Sequence, residues 1–168
     1  MNKINFILVF FLMLFNINCN IKSSSNEFDS SSNLNTIDLE QRYPFLKMKR
    51  TPCFGKCPYY EFVIFSNGDV LYEGFNFVEK IGKFKGEINI KKIALIKEKL
   101  KEVEFFNFDS VYDAGVSDLP STIIEVNLDN KKHRVKGRYR MPQKFKYFSK
   151  FIDEIINEIQ SWEKIINR

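Results

Sequence analysis

The sequence predicts an α+β fold: an antiparallel sheet in the order ββββ-α-ββ-α, with two amphipathic helices packed on one face. Three observations predict it. Short segments between Phe45 and Tyr139 alternate apolar and polar residues, the period of a half-buried strand. Turn-forming pairs, Asn67-Gly68 and Asp129-Asn130, join two such segments each, and strands joined by short turns pair antiparallel. Two other segments repeat apolar residues every three or four positions, one face of a helix. An antiparallel sheet and two such helices bury their apolar surfaces only against each other.

The elements follow in order. Phe45-Leu46-Lys47-Met48-Lys49-Arg50 alternates as a first strand, and Tyr60 to Phe65 as a second. Asn67-Gly68 then predicts a type I′ hairpin turn, whose two central residues both need φ > 0. Val70 to Glu73 is the returning strand. Residues 78–88 alternate Val78, Lys80, Gly82 and Phe84 against Glu79, Ile81 and Lys83, an irregular fourth strand. Asn89 suits a helix N-cap, and Ile93, Ile96, Leu100 and Val103 form the apolar stripe behind it. Residues 105–121 read as a loop rich in Phe and Asp. Thr122 to Leu128 and Lys132 to Tyr139 are the last two strands. Pro142 suits the first turn of a closing helix, with a stripe through Phe148, Phe151, Ile155, Ile159, Trp162 and Ile166.

The N-terminus follows different rules. Lys3 precedes an unbroken apolar run from Phe6 to Phe15, the pattern of a secretory signal. Ten residues are too few for a transmembrane helix, which takes about 20. Cys19 just after the run resembles the lipobox cysteine of bacterial lipoproteins, where it becomes the lipidated first residue. Asn16 and Asn18 stand where that pattern has Leu and a small residue. Residues 20–41 hold Ser23-Ser24-Ser25 and Ser30-Ser31-Ser32 with no apolar period, a flexible tether. A coil of that length spans about 25 Å. The predicted organisation is a signal over 1–18, an anchor cysteine and tether over 19–41, and one domain over 42–168.

Composition excludes several classes. The 168 residues are 44% hydrophobic and 28% charged, too apolar for disorder throughout and too short for two full domains. Three cysteines and one histidine exclude a disulfide-dense scaffold and an all-protein Cys/His zinc cluster. The net charge of +5 falls to +4 without residues 1–18, which carry one lysine and no acid.

Thr51-Pro52-Cys53-Phe54-Gly55-Lys56-Cys57-Pro58-Tyr59-Tyr60 leads directly into a strand, followed by Tyr72-Glu73-Gly74 and later Ser117-Asp118-Leu119-Pro120-Ser121-Thr122. This pattern resembles a family of secreted bacterial domains of unknown function (domain of unknown function 6438). The resemblance covers about residues 43–160. It implies secretion and, in many members, a lipid anchor, and points to Cys53, Cys57, Pro58, Tyr60 and Asp118 as residues that matter. It implies no activity, so no catalytic residue is assigned.

Cys53 and Cys57 are the sharpest local feature. Export favours a disulfide between them, with Gly55 easing the tight loop. A redox pair is the alternative, although thioredoxin-like pairs have two intervening residues and open a helix, whereas this pair has three and precedes a strand. A metal site would need two more ligands, with only His133 to offer a nitrogen. His133 reads as structural, flanked by Lys132 and Arg134. Asp109, Asp113 and Asp118 read first as turn-capping acids. Tyr60, Asp113 and Asp118 form a candidate pocket set. Residues 131–150 hold nine cations and no acid. Arg134, Lys136 and Arg138 alternate onto one strand face, and with Arg140 they make a candidate anion-binding face.

The functional expectation is an exported, lipid-anchored envelope domain that binds rather than catalyses, its partner an envelope protein, anionic lipid or polysaccharide. Nucleic acid, metal and cofactor are not expected. The alternatives are a thiol-redox enzyme using Cys53 and Cys57, or a purely structural domain.

Overall fold

The computed structural model describes residues 43–115 and 118–166. The signal, Cys19 and the tether expected over residues 1–41 lie outside the described residues.

Eight strands form one mixed, mostly antiparallel sheet, with two helices. The strands are β1 (Pro44–Arg50), β2 (Tyr59–Phe65), β3 (Asp69–Asn76), β4 (Gly82–Glu87), β5 (Val111–Tyr112), β6 (Thr122–Leu128), β7 (Lys131–Gly137) and β8 (Glu163–Lys164). The helices are α1 (Ile90–Glu102) and α2 (Gln143–Glu158), with a 3-10 turn at Phe105–Asn107. The order across the sheet is β5-β7-β6-β1-β2-β3-β4-β8, so β1 sits in the middle, paired antiparallel with both β2 and β6.

Strand alternation sorts the side chains. Leu46 and Met48 on β1, Phe62 and Ile64 on β2, and Ile124 and Val126 on β6 are buried, while Lys47, Glu61 and Glu125 between them face outward. Ile93, Ile96 and Leu100 of α1 and Phe145, Phe148, Ile152 and Ile155 of α2 join the same core. Asn89 caps α1 as expected, its side chain accepting from the Lys92 amide at 2.9 Å.

The element order is ββββ-α-β-ββ-α-β rather than ββββ-α-ββ-α, with one parallel pair, and local details differ as well. The type I′ requirement is met at Asp129-Asn130, with φ of 51° and 59°, not at Asn67-Gly68. At the β2–β3 turn only Gly68 has φ > 0, and its amide donates to Phe65 O at 3.1 Å. A three-residue hairpin loop ending on a left-handed glycine has this geometry. Residues 105–121 are not all loop: Phe105 is buried, and β5 adds a parallel strand to the β7 edge. The Lys136 and Arg138 amides donate to Ser110 O and Tyr112 O at 2.9 and 2.8 Å, satisfying groups that an open edge would leave unpaired.

The closing helix stops at Glu158, well before the Ile166 that its stripe predicted. Within α2 the buried positions include Phe145, Ser149 and Ile152, with Phe151 only half-buried. Beyond it the chain extends, and β8 pairs with β4, where the Ile165 amide donates to Lys83 O at 2.8 Å. Trp162 packs against Phe62 and Tyr72 and lies over Gly86, where an added Cβ would come within 3.1 Å of its ring. Burial of the Trp162 ring and pairing of the β4 edge together outweigh another turn of helix.

Candidate functional site

One cross-strand row at the end of the sheet carries no core aliphatic residue. It runs Gly137, Thr122, Arg50, Tyr60, Gly74 and Gly82 across β7, β6, β1, β2, β3 and β4. The adjacent inward row is Val135, Ile124, Met48, Phe62, Tyr72 and Phe84, an ordinary core row. The alternation of β1 that buries Leu46 and Met48 therefore points Arg50 inward as well. Where the polar row meets α2, a cleft of about 540 Å³ opens, within the usual range for small-molecule sites.

Asp153 of α2 organises the floor. One of its carboxylate oxygens accepts from the Tyr60 hydroxyl and the other from Arg50 Nη2. Arg50 Nη1 also donates to Thr122 Oγ1 at 2.5 Å. Burial works against the Arg50 charge, but the Asp153 carboxylate, aided by Tyr60, outweighs it and raises the guanidinium above its ordinary value. Burial pushes the Tyr60 phenol far above the usual tyrosine range, and the adjacent carboxylate pushes it further. Tyr72 stacks on Tyr60 with ring centroids 5.5 Å apart. Burial, then the charge of Glu79, pushes its hydroxyl up to about 12.

Two loops build the walls. The Cys53–Cys57 disulfide closes the β1–β2 connection, with Cα atoms 5.8 Å apart, and brings Lys56, Cys57 and Pro58 to the cleft. Residues 77–80, between β3 and β4, bring Phe77, Val78 and Lys80. Gly74 lets this second loop approach: a Cβ there would stand 1.8 Å from Lys80 O. Ile156 and Asn157 of α2 complete the lining. Among the described residues no group of three or more His, Cys, Asp or Glu is placed to hold a metal ion.

The structure gathers some expected site residues and scatters others. Tyr60 and Cys57 line the cleft; Asp113 and Asp118 do not. Asp113 instead accepts from Lys136 Nζ at 2.9 Å and lies 3.6 Å from Arg138 Nη1. The Lys136 hydrogen bond, with the Gly115 amide and the Arg138 charge, holds its carboxyl below the usual range despite some loss of solvent. Two of the four cations on the candidate anion face are thus engaged by this acid, and Arg138 Nε also donates to Ser121 Oγ at 3.0 Å. Arg134 is exposed opposite Glu125, and Arg140 lies over the Tyr139 ring at 5.4 Å. His133 Nε2 bonds Phe108 O at 2.8 Å, a structural contact.

Sequence reasoning missed Arg50, Tyr72 and Asp153. For Arg50 a signal existed: it occupies the inward parity of a strand whose other inward residues are Leu46 and Met48. For Asp153 the signal was faint, an acid lying between Phe151 and Ile155 of the expected helix stripe.

A family model described as Domain of unknown function (DUF6438) matches residues 44–156, a span that contains Arg50, the disulfide, Tyr60 and Asp153. No curated protein and no solved structure matches the chain. By the extent of that match, the chain belongs to the Domain of unknown function (DUF6438) family.

Proposed function

We propose that this protein is an exported, lipid-anchored domain of the cell envelope that binds a small ligand in the Arg50–Tyr60–Asp153 cleft and does not catalyse a reaction on it. The carrying observation is that both Asp153 oxygens are engaged by Tyr60 and Arg50. A carboxylate so committed, beside a phenol held in its neutral form, makes a rigid binding floor and a poor proton shuttle. The apolar run before Cys19 and the serine-rich tether support export and anchoring. The membrane contact is then the lipid on Cys19. Arg134 and Arg140 offer a secondary contact for anionic lipid or polysaccharide, whose strength would fall as salt rises.

Labelled fatty acid should enter the wild-type protein and not Cys19→Ser. Label in neither would retire the anchor. A second reading rests on one observation: Cys57 lines the cleft. A thiol-redox enzyme would use it, and an insulin-reduction assay decides. Turnover abolished by Cys53→Ser would replace the binding reading with the enzyme.

A further inference from the structure

We infer that the cleft selects an organic acid, a ligand with one carboxylate on a short apolar body; this rests on the cleft being a binding site, as proposed above. In the cleft the acids are committed and several donors are not. Asp153, the acid on the floor, already accepts from Tyr60 and Arg50. The other lining acid, Glu79, is 93% exposed at its side chain and lies 3.7 Å from Lys80 Nζ. Donors are in excess. Lys56 is exposed on the disulfide loop and makes no ion pair among the described residues. The Tyr72 hydroxyl makes no hydrogen bond there either, and Arg50 keeps guanidinium N–H groups beyond the two used.

These donors come from three separate segments and surround apolar walls of Pro58, Phe77, Val78 and Ile156. A carboxylate is acceptor-only when ionised and matches donors that have no acceptor of their own. A short apolar body matches the walls. A cation would instead meet Arg50 and Lys56, with Asp153 already held by Arg50 and Tyr60 and Glu79 beside Lys80.

The test titrates the full chain with hexanoate, 1-hexanol and hexylamine, following backbone amide shifts of Tyr60, Gly74 and Thr122 by NMR. Hexanoate should move these amides and bind about tenfold tighter than hexanol, with hexylamine weakest. Lys56→Gln should remove most of that advantage. It should weaken hexanoate far more than hexanol and leave the melting temperature unchanged, because the Lys56 side chain is exposed and makes no ion pair among the described residues. Equal binding of hexanoate and hexanol, tighter binding of hexylamine, or an undiminished advantage in Lys56→Gln would overturn the acid preference while the cleft stands as a binding site. If none of the three probes moves the cleft amides, the preference and the cleft reading fall together.

Discussion

Arg50 and Asp153 stand 103 positions apart in the sequence and form an ion pair on the cleft floor. Arg50 ends the central strand, and Asp153 is in the closing helix. The pair therefore ties the sheet to α2 at the point where the core rows give way to the polar one. Their side chains keep 24% and 33% exposure, so solvent still weakens the interaction.

Removing one partner strands the other. Asp153→Ala leaves Arg50 and Tyr60 without their shared acceptor and should cost about 2 kcal/mol, below the value for a fully buried pair because of that exposure. Arg50→Met with Asp153→Leu removes both charges and should recover much of the loss. Urea unfolding of the single and double variants measures this. A double variant no more stable than Asp153→Ala would show that the pair acts through packing alone.

Alkaline stability reports Tyr60. Its folded-state pKa is raised, chiefly by burial, whereas the unfolded chain ionises near the ordinary value of 10.0. Above that pH the unfolded state loses a proton that the folded state keeps. The stabilising contribution is thus complete below about pH 10 and lost as pH rises further. Tyr72, pushed up to about 12, adds to the same trend. Tyr60→Phe should cost about 1 kcal/mol at neutral pH and show a shallower decline between pH 9 and 11.5. Parallel declines in thermal melts of the two proteins would refute the assignment to Tyr60.

The disulfide closes a loop between positions only four apart. So short a closure contributes about 2 kcal/mol in the chain-entropy account. Cys53→Ala with Cys57→Ala should lower unfolding stability by that amount and broaden the Lys56 and Tyr60 amide signals. A variant as stable as wild type, with unchanged signals, would mean that the loop is held by its other contacts, such as Thr51 N to Ser121 O at 3.0 Å.

Acid should loosen the β5–β7 edge first. The Asp113 carboxyl is held below its ordinary value of 3.8, first by the Lys136 hydrogen bond. A lowered carboxylate stabilises above the unfolded value, and the contribution is lost as pH falls through the folded one. Asp113→Asn should accelerate exchange of the Arg138 amide, which donates to Tyr112 O, while leaving β1 and β2 protected. Uniform acceleration over the sheet would point to global destabilisation instead.

Gly74→Ala tests the cleft wall directly. Its Cβ would stand 1.8 Å from Lys80 O and 2.9 Å from Val78 Cγ2, so the 77–80 loop must move. Overpacking of this kind costs about 1–3 kcal/mol. The cleft should also widen on the β3–β4 side, read as shifted Val78 methyl signals. Unmoved methyls at wild-type stability would contradict the close approach.

Much of the architecture was legible locally. The strand alternation of β1, β2, β6 and β7, the Asn89 cap and the Ile93-Ile96-Leu100 stripe depend on neighbours within a few positions, and period and propensity report those neighbours. The shared outward face of Arg134 and Lys136 was legible for the same reason. Asp113, which engages Lys136 from another segment, was not.

What the sequence by itself determined is six of the eight strands, the two helices and the short Cys53–Cys57 loop. Tertiary structure alone decided three things. It ended α2 at Glu158, because the chain beyond pairs with the β4 edge and lays Trp162 over Gly86. It turned a Phe- and Asp-rich loop into a parallel edge strand, because β7 offered unpaired amides. It brought Arg50, Tyr60 and Asp153 onto one cleft floor. Local periodicity orients each of these side chains within its own element. Their meeting depends on how the sheet and α2 stack, which no short stretch of sequence encodes.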